Sequence, residues 1–353
     1  MKLKIAAIAA AFIVAALAVQ QLLMPKYMSS VYDGALIAEY YGEPKNHEVV
    51  FVGDCEVYEN FSPVTLFDEF GVTSYIRGGP QQLIWQSYYL LEDTLRYETP
   101  KAVVFNVLSM QYGQPQNEAY NRLNLDGMAL SASKLKAVNV SMTEGEDALS
   151  YFVPILRYHE RWAELTSDDL RYFFSRDMVG HNGYYMRNDV KPVTIIPDGP
   201  KLADYSFAEQ CWQYLDKMRD LCAERGVELI LIKAPTIWPH WYDQWETQIE
   251  DYAERNALLY INFLEQTDAA GLDFNTDTYD AGLHLNLSGA EKLTRYFGKQ
   301  LTERVDLTDL RNDPAVKDEW AKKREAYEQM KSAQLSELAT LGKIETFTYR
   351  RIK

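Results

Sequence analysis

Five short apolar runs, separated by helical patterns, limit what this chain can fold into. They are "EVVFVG" (48–53), "TSYIRGG" (73–79), "KAVVFNV" (101–107), "VELILIKAP" (227–235) and "LLYINFL" (258–264). Runs this short, rich in β-branched and aromatic residues, read as buried strands. Ser62-Pro63 is a cap and first-turn pair for a helix through Phe70, and Pro80 opens a second helix over "PQQLIWQSYYLLEDTLRYE". "FAEQCWQYLDKMRDLCAERG" precedes the fourth run, and "DQWETQIEDYAERN" precedes the fifth. Strand alternating with helix predicts an α/β fold with a parallel sheet covered on both faces. Ligands bind such sheets beyond the carboxyl ends of the strands. The informative positions are therefore Gly53 to Glu56, Gly78 and Gly79, Asn106 onward and Pro235 onward.

The stretch from about 110 to 205 breaks the alternation and reads as a mostly helical insertion between the third and fourth strands. It carries His159 and His181, each beside aromatic residues, a setting that suits packing more than substrate contact. The last segment, 306–353, reads as a charged, weakly amphipathic helix and tail, solvated at the periphery or packed as an arm, with partner binding a further alternative. "DTYDAGLHLNLSGAEKLTRYF" (277–297) ends the α/β pattern, and Ser288-Gly289-Ala290-Glu291 has capping-box spacing, so a helix is expected from about Gly289.

With 353 residues, 47% hydrophobic and 25% charged, the chain suits one large domain or two small ones. Its net charge of −15 and lack of a basic stripe argue against a nucleic-acid partner. The cysteines are Cys55, Cys211 and Cys222. The last two lie on one helix face with Phe207, Tyr214, Leu215 and Met218, roughly 16 Å apart, too far to bridge and suited to a core stripe. No CxxC pair is present, so neither a disulfide framework nor a metal or other cofactor is expected.

The N-terminus, "MKLKIAAIAAAFIVAALAVQQLLMPKYM", sets Lys2 and Lys4 before an apolar run from Ile5 to Val19 that continues through Leu22, Leu23 and Met24. About 20 such residues suffice to cross a bilayer. Residues 1–28 therefore read as a signal anchor on a single-pass membrane protein whose main domain is extracytoplasmic. The rival reading is a signal peptide cut at Ala16-Leu17-Ala18.

Cys55 follows the Gly53-Asp54 turn at the expected start of a short helix, whose amides would lower a thiol pKa and could stabilise an oxyanion. Asp54 and Glu56 would act in the opposite sense if they faced the thiol. Asp280 and His284 are four apart on the loop before the last helix, a pairing that orients an imidazole to serve as base for a nucleophile from elsewhere.

"VVFVGDCEVY" (49–58) resembles the first block of the SGNH/GDSL hydrolase superfamily, in which the first strand ends in Gly-Asp-Ser. "DAGLHLNLSGAEKL" (280–293) resembles its last block. The likeness covers roughly 46–108 and 225–303. It implies a flavodoxin-like three-layer α/β/α fold with five parallel strands over 29–305. It also implies a nucleophile at Cys55, a base at His284 and an orienting acid at Asp280. The oxyanion hole would comprise the Cys55 amide, Gly79 (or Gly78) and Asn106, with Ser109 a further polar candidate. Two features depart from the superfamily: Cys55 replaces the serine, and the Asp-to-His spacing is one residue longer than usual. Cys55 is thus open to three readings: an acyl-carrying nucleophile, a degenerate site that still binds, or a structural cysteine.

A membrane anchor with an external domain of this type is similar to the envelope acyl-transfer branch, including the D-alanyl transfer protein of teichoic-acid modification and the alginate O-acetylation proteins. That likeness implies a bacterial envelope acyltransferase or esterase, a multi-pass membrane O-acyltransferase as partner, and an envelope polysaccharide or teichoic acid-like acceptor. Trp238, His240 and Trp241, in the loop 234–245, are candidate substrate-binding residues. The alternative is a non-catalytic protein that binds glycan or the membrane acyltransferase.

Overall fold

The computed structural model describes residues 2–26 and 32–350; the expected boundary between anchor and domain at 28/29 lies outside the described residues. Helix α1 (Lys2–Leu23) comes first, and α2 (Leu36–Glu39) precedes β1 (Val49–Gly53). Then follow α3 (Cys55–Tyr58), α4 (Pro63–Phe70), β2 (Ser74–Gly78), α5 (Ile84–Thr94) and β3 (Ala102–Asn106). The insertion holds α6 (Glu118–Leu125), α7 (Ala132–Ser141), α8 (Ile155–Tyr158), α9 (Ser167–Phe174) and the short β4 (Asp177–Met178). Helix α10 (Glu209–Arg225), β5 (Glu228–Lys233), α11 (Asp243–Arg255), β6 (Leu259–Asn262), α12 (Leu287–Arg304), α13 (Pro314–Leu341) and β7 (Tyr349–Arg350) complete the chain.

All five expected strands form, and they pair in parallel in the order β2-β1-β3-β5-β6. Alternation along each strand divides the core. Val50, Val52, Val103, Phe105, Leu229 and Leu231 pack with residues of α5, α10 and α11, whereas Val49, Phe51, Val104, Ile230 and Ile232 pack with α4 and α12 on the other face. Helices α4 and α12 approach closely at Gly298, where a β-carbon would fall 2.4 Å from the Phe70 ring. Cys211 and Cys222 are free and buried among the first set, and burial pushes both thiols up to about 12.

Three local expectations are corrected. Helix α5 starts at Ile84 and not at Pro80; residues 80–82 form a turn, and the Gln86 side chain accepts from the Leu83 amide at 2.9 Å. Helix α12 starts at Leu287 because the Asn286 carboxamide, not the Ser288 hydroxyl, caps it, accepting from the Gly289 amide at 3.2 Å. The insertion is helical only as far as Phe174; residues 179–208 carry no helix, and the Asn182 carbonyl accepts from the Ile76 amide of β2 at 3.0 Å. His181 is buried there, stacked on Tyr349 at 4.5 Å, and burial lowers its pKa to about 3, as packing requires. His159 is exposed beside Glu160.

The C-terminal helix does not stand apart. Helix α13 lies against α4, with Trp320 stacked on Phe67 at 4.4 Å, and β7 pairs antiparallel with β4.

Candidate active site

Strand β1 has β2 on one side and β3 on the other, so successive connections diverge from its carboxyl end and leave a crevice there. The chain enters this crevice through Gly53, whose φ of +150° is one that residues with a side chain rarely adopt. Asp54 then caps α3, its Oδ1 accepting from the Glu56 amide at 3.1 Å, and Cys55 is the first helical residue. The cleft above has a volume of about 380 Å³, and its lining includes Cys55, Glu59, Tyr112, Tyr120, Trp238 and His284.

The loop before α12 carries the imidazole. Asp280 holds His284 twice, with Oδ1 accepting from its amide at 2.8 Å and Oδ2 lying 2.6 Å from Nδ1. The Thr278 hydroxyl donates to the His284 carbonyl at 2.8 Å and accepts from the Gly282 amide at 2.8 Å, closing the loop on itself. The Leu285 amide donates to Asn60 Oδ1 at 2.8 Å and so ties the loop to the segment just after α3. Cys55 and His284 line the same cleft and each shifts the other's titration, while Asp280 holds the imidazole, so the three residues act as one electrostatic unit.

A second carboxylate faces the same imidazole. Glu59 Oε1 lies 3.9 Å from His284 Nε2, and the Tyr279 hydroxyl donates to Glu59 Oε2. The Tyr279 ring lies nearly parallel to His284 at 5.9 Å, with the Arg187 guanidinium 4.3 Å from the centre of the Tyr279 ring. Burial pulls the His284 pKa down, but Glu59, the Cys55 sulfur and the Asp280 bond outweigh it and hold the imidazole well above its ordinary value. Burial pushes the Cys55 thiol up to about 11; His284 offsets part of this, whereas Asp54 and Glu59 add to it. A thiolate here forms as one half of an ion pair, with the imidazolium supported by two carboxylates.

The two acids flanking Cys55 are managed beneath the turn. Glu56 points into the protein and pairs with Lys233 at 3.0 Å, both side chains being essentially inaccessible to solvent. Lys233 Nζ also donates to the Ala234 carbonyl at 2.7 Å and Thr236 Oγ1 at 3.1 Å. Burial, and secondarily Glu56, raise the Asp54 pKa to about 7.

Asn106 belongs to this buried network. Its Nδ2 donates to Asp54 Oδ1 at 3.1 Å and Glu56 Oε2 at 2.9 Å, while its Oδ1 accepts from the Ala234 amide at 3.1 Å. Both amide protons are thus committed to carboxylates and not offered to an oxyanion. Gly79 is buried and is not among the cleft-lining residues, which include Pro80 and Gln81 after it, and a β-carbon on it would fall 2.3 Å from Asn124 Oδ1. Ser109 is fully buried on the turn after β3. Of the aromatic trio, Trp238 lines the cleft. His240 packs edge-on to Tyr242 at 4.6 Å, and Trp241 packs with Phe207 and Trp245 while its Nε1 donates to Glu246 at 2.6 Å.

Glu59, Tyr279 and Lys233 are the site residues that sequence reasoning missed. Glu59 stands four after Cys55, one helical turn on, and Lys233 is an isolated cation ending a buried apolar strand. Both positions carried a readable signal. No known family model matches the chain, and no curated protein matches it.

Proposed function

We propose that this chain is a thiol-dependent acyl-transfer or ester-hydrolysing protein of SGNH-like, flavodoxin-type architecture, anchored to a bacterial membrane with its cleft in the cell envelope. The observation that carries the reading is the Asp280-bound imidazole of His284 lining one cleft with the Cys55 thiol, at the crevice where a parallel sheet receives its ligand. The Cys55 thiolate attacks the carbonyl carbon of an acyl ester, the C–O bond breaks, and His284 protonates the departing alkoxide. The resulting thioester is attacked by an acceptor hydroxyl, whose proton passes to His284 as the C–S bond breaks and the thiolate is restored. A multi-pass membrane O-acyltransferase would supply the acyl group, and an envelope polysaccharide or teichoic acid-like polymer would accept it. Under this reading Cys55→Ala and His284→Ala each abolish turnover of an activated acyl ester and Cys211→Ala does not; equal activity in all three removes the reading.

A second reading has its own observation. The raised thiol pKa and the commitment of the Asn106 amide to carboxylates favour a site that has kept the architecture and lost turnover, and that binds glycan or the membrane acyltransferase. Glycan binding retained in Cys55→Ala, with no esterase activity in the parent, is its expected signature.

A further inference from the structure

Helix α1 is free along most of its length and held only at its end. Residues 2–17 are exposed, whereas Leu23 is buried against the body and its neighbours from Gln20 onward are partly covered. The elements it touches are α8, the 3-10 turn His159–Ala163 and α9. Arg161 Nη1 donates to the Leu23 carbonyl at 2.7 Å, and Lys26 pairs with Asp168 at 3.7 Å, so the helix end is pinned to this part of the insertion.

Length then places the insertion relative to a bilayer. A hydrocarbon core about 30 Å thick requires about 20 apolar residues of helix. The apolar stretch from Ile5 must therefore be used as far as Leu22 and Leu23 to cross. Those are the residues already seated on the body, so the surface that seats them lies at the membrane–water boundary.

The side chains there are of the type that boundary favours. Leu156, Trp162, Leu170 and Phe174 lie on the three elements that touch α1, and Trp162 is 73% and Phe174 84% exposed. Leu170 and Phe174 are four apart on α9 and share a face. Large apolar side chains exposed on the elements that hold α1 call for a partner, and aromatic ones concentrate at bilayer interfaces. Charge agrees: residues 149–176 hold Arg157, Arg161, Arg171 and Arg176 against Glu160, Glu164, Asp168 and Asp169, a neutral balance in a chain of net charge −15. Acidic repulsion from anionic headgroups is thereby relieved where contact occurs.

We propose that α8, the His159–Ala163 turn and α9 form a second membrane contact, inserting Trp162 and Phe174 into the headgroup layer beside the emerging α1. The proposal rests on the reading that α1 spans the bilayer. The body is then held against the membrane at a fixed face and does not swing on a tether.

Brominated phosphatidylcholine nanodiscs carrying the full chain test it, because bromine quenches only nearby tryptophan and α1 contains none. The emission lost in Trp162→Phe reports Trp162. The expected result is that this component is blue-shifted and loses most of its intensity in brominated discs, and that the remaining tryptophans are quenched far less. An unquenched Trp162 component in discs of pure lipid overturns the proposal, and points to a protein partner for this face. Alkaline carbonate extraction separates the two claims. A chain that stays in the membrane with Trp162 unquenched leaves the span intact and removes the second contact, whereas a chain that is extracted removes both.

Discussion

The Glu59 carboxylate lies 3.9 Å from Nε2 of His284, the imidazole that lines the cleft with Cys55. It supports the imidazolium and opposes the thiolate together. Glu59→Gln therefore lowers both pKa values. The pH profile of Cys55 alkylation by iodoacetamide, with a midpoint at about 11 in the parent, shifts to lower pH, and the His284 ring titration followed by NMR shifts the same way. An unchanged alkylation midpoint contradicts the assignment of Glu59.

Native-state alkylation is expected to be selective. Cys55 opens to the cleft while Cys211 and Cys222 are at most 1% exposed, so peptide mapping after brief alkylation at high pH finds label on Cys55 and none on the other two. Label on Cys222 in the folded chain would mean that α10 is not packed as described.

Lys233 and Glu56 form a buried pair, and removing one partner strands the other. Lys233→Met is expected to cost about 3–5 kcal/mol, read by urea unfolding. The double variant Lys233→Met/Glu56→Gln recovers a large part of that loss, because no unpaired charge remains buried. A double variant no more stable than Lys233→Met would show that the pair is not the source of the effect.

Asp54 gives a stability profile with a definite sign. Its folded-state pKa of about 7 stands above the ordinary 3.8, so the stability it contributes is full below about pH 4 and is lost as pH rises through 7. Asp54→Asn keeps the cap oxygen and cannot ionise. Its stability relative to the parent is therefore expected to climb between pH 4 and 7.5, measured by denaturant melts across that range. A flat difference refutes the buried-acid account.

The sheet was legible because each strand is a short β-branched run with polar punctuation, and the neighbouring positions of Cys55, Asp280 and His284 because they follow apolar runs or precede a capped helix. What was not legible depends on which side chain wins a local contest. Asn286 outcompeted Ser288 for the α12 amides, and Gln86 set the start of α5 where Pro80 was expected to. The acids beside Cys55 looked alike in sequence. Only the strand pairing that brings Lys233 under Glu56 separates them, turning Glu56 inward and leaving Glu59, a residue not weighed, to face the imidazole. The partners of Asn106 were not legible for the same reason, since the polar groups that claim its carboxamide come from two other segments.

The central claim is that Cys55 accepts an acyl group with the help of His284. Intact-protein mass spectrometry after incubation with an activated acyl ester tests it most directly. The account predicts one acyl adduct, released by hydroxylamine and mapped to Cys55, present in Cys211→Ala and absent from Cys55→Ala and His284→Ala. An adduct that persists in Cys55→Ala, or no adduct on the parent chain, would contradict it.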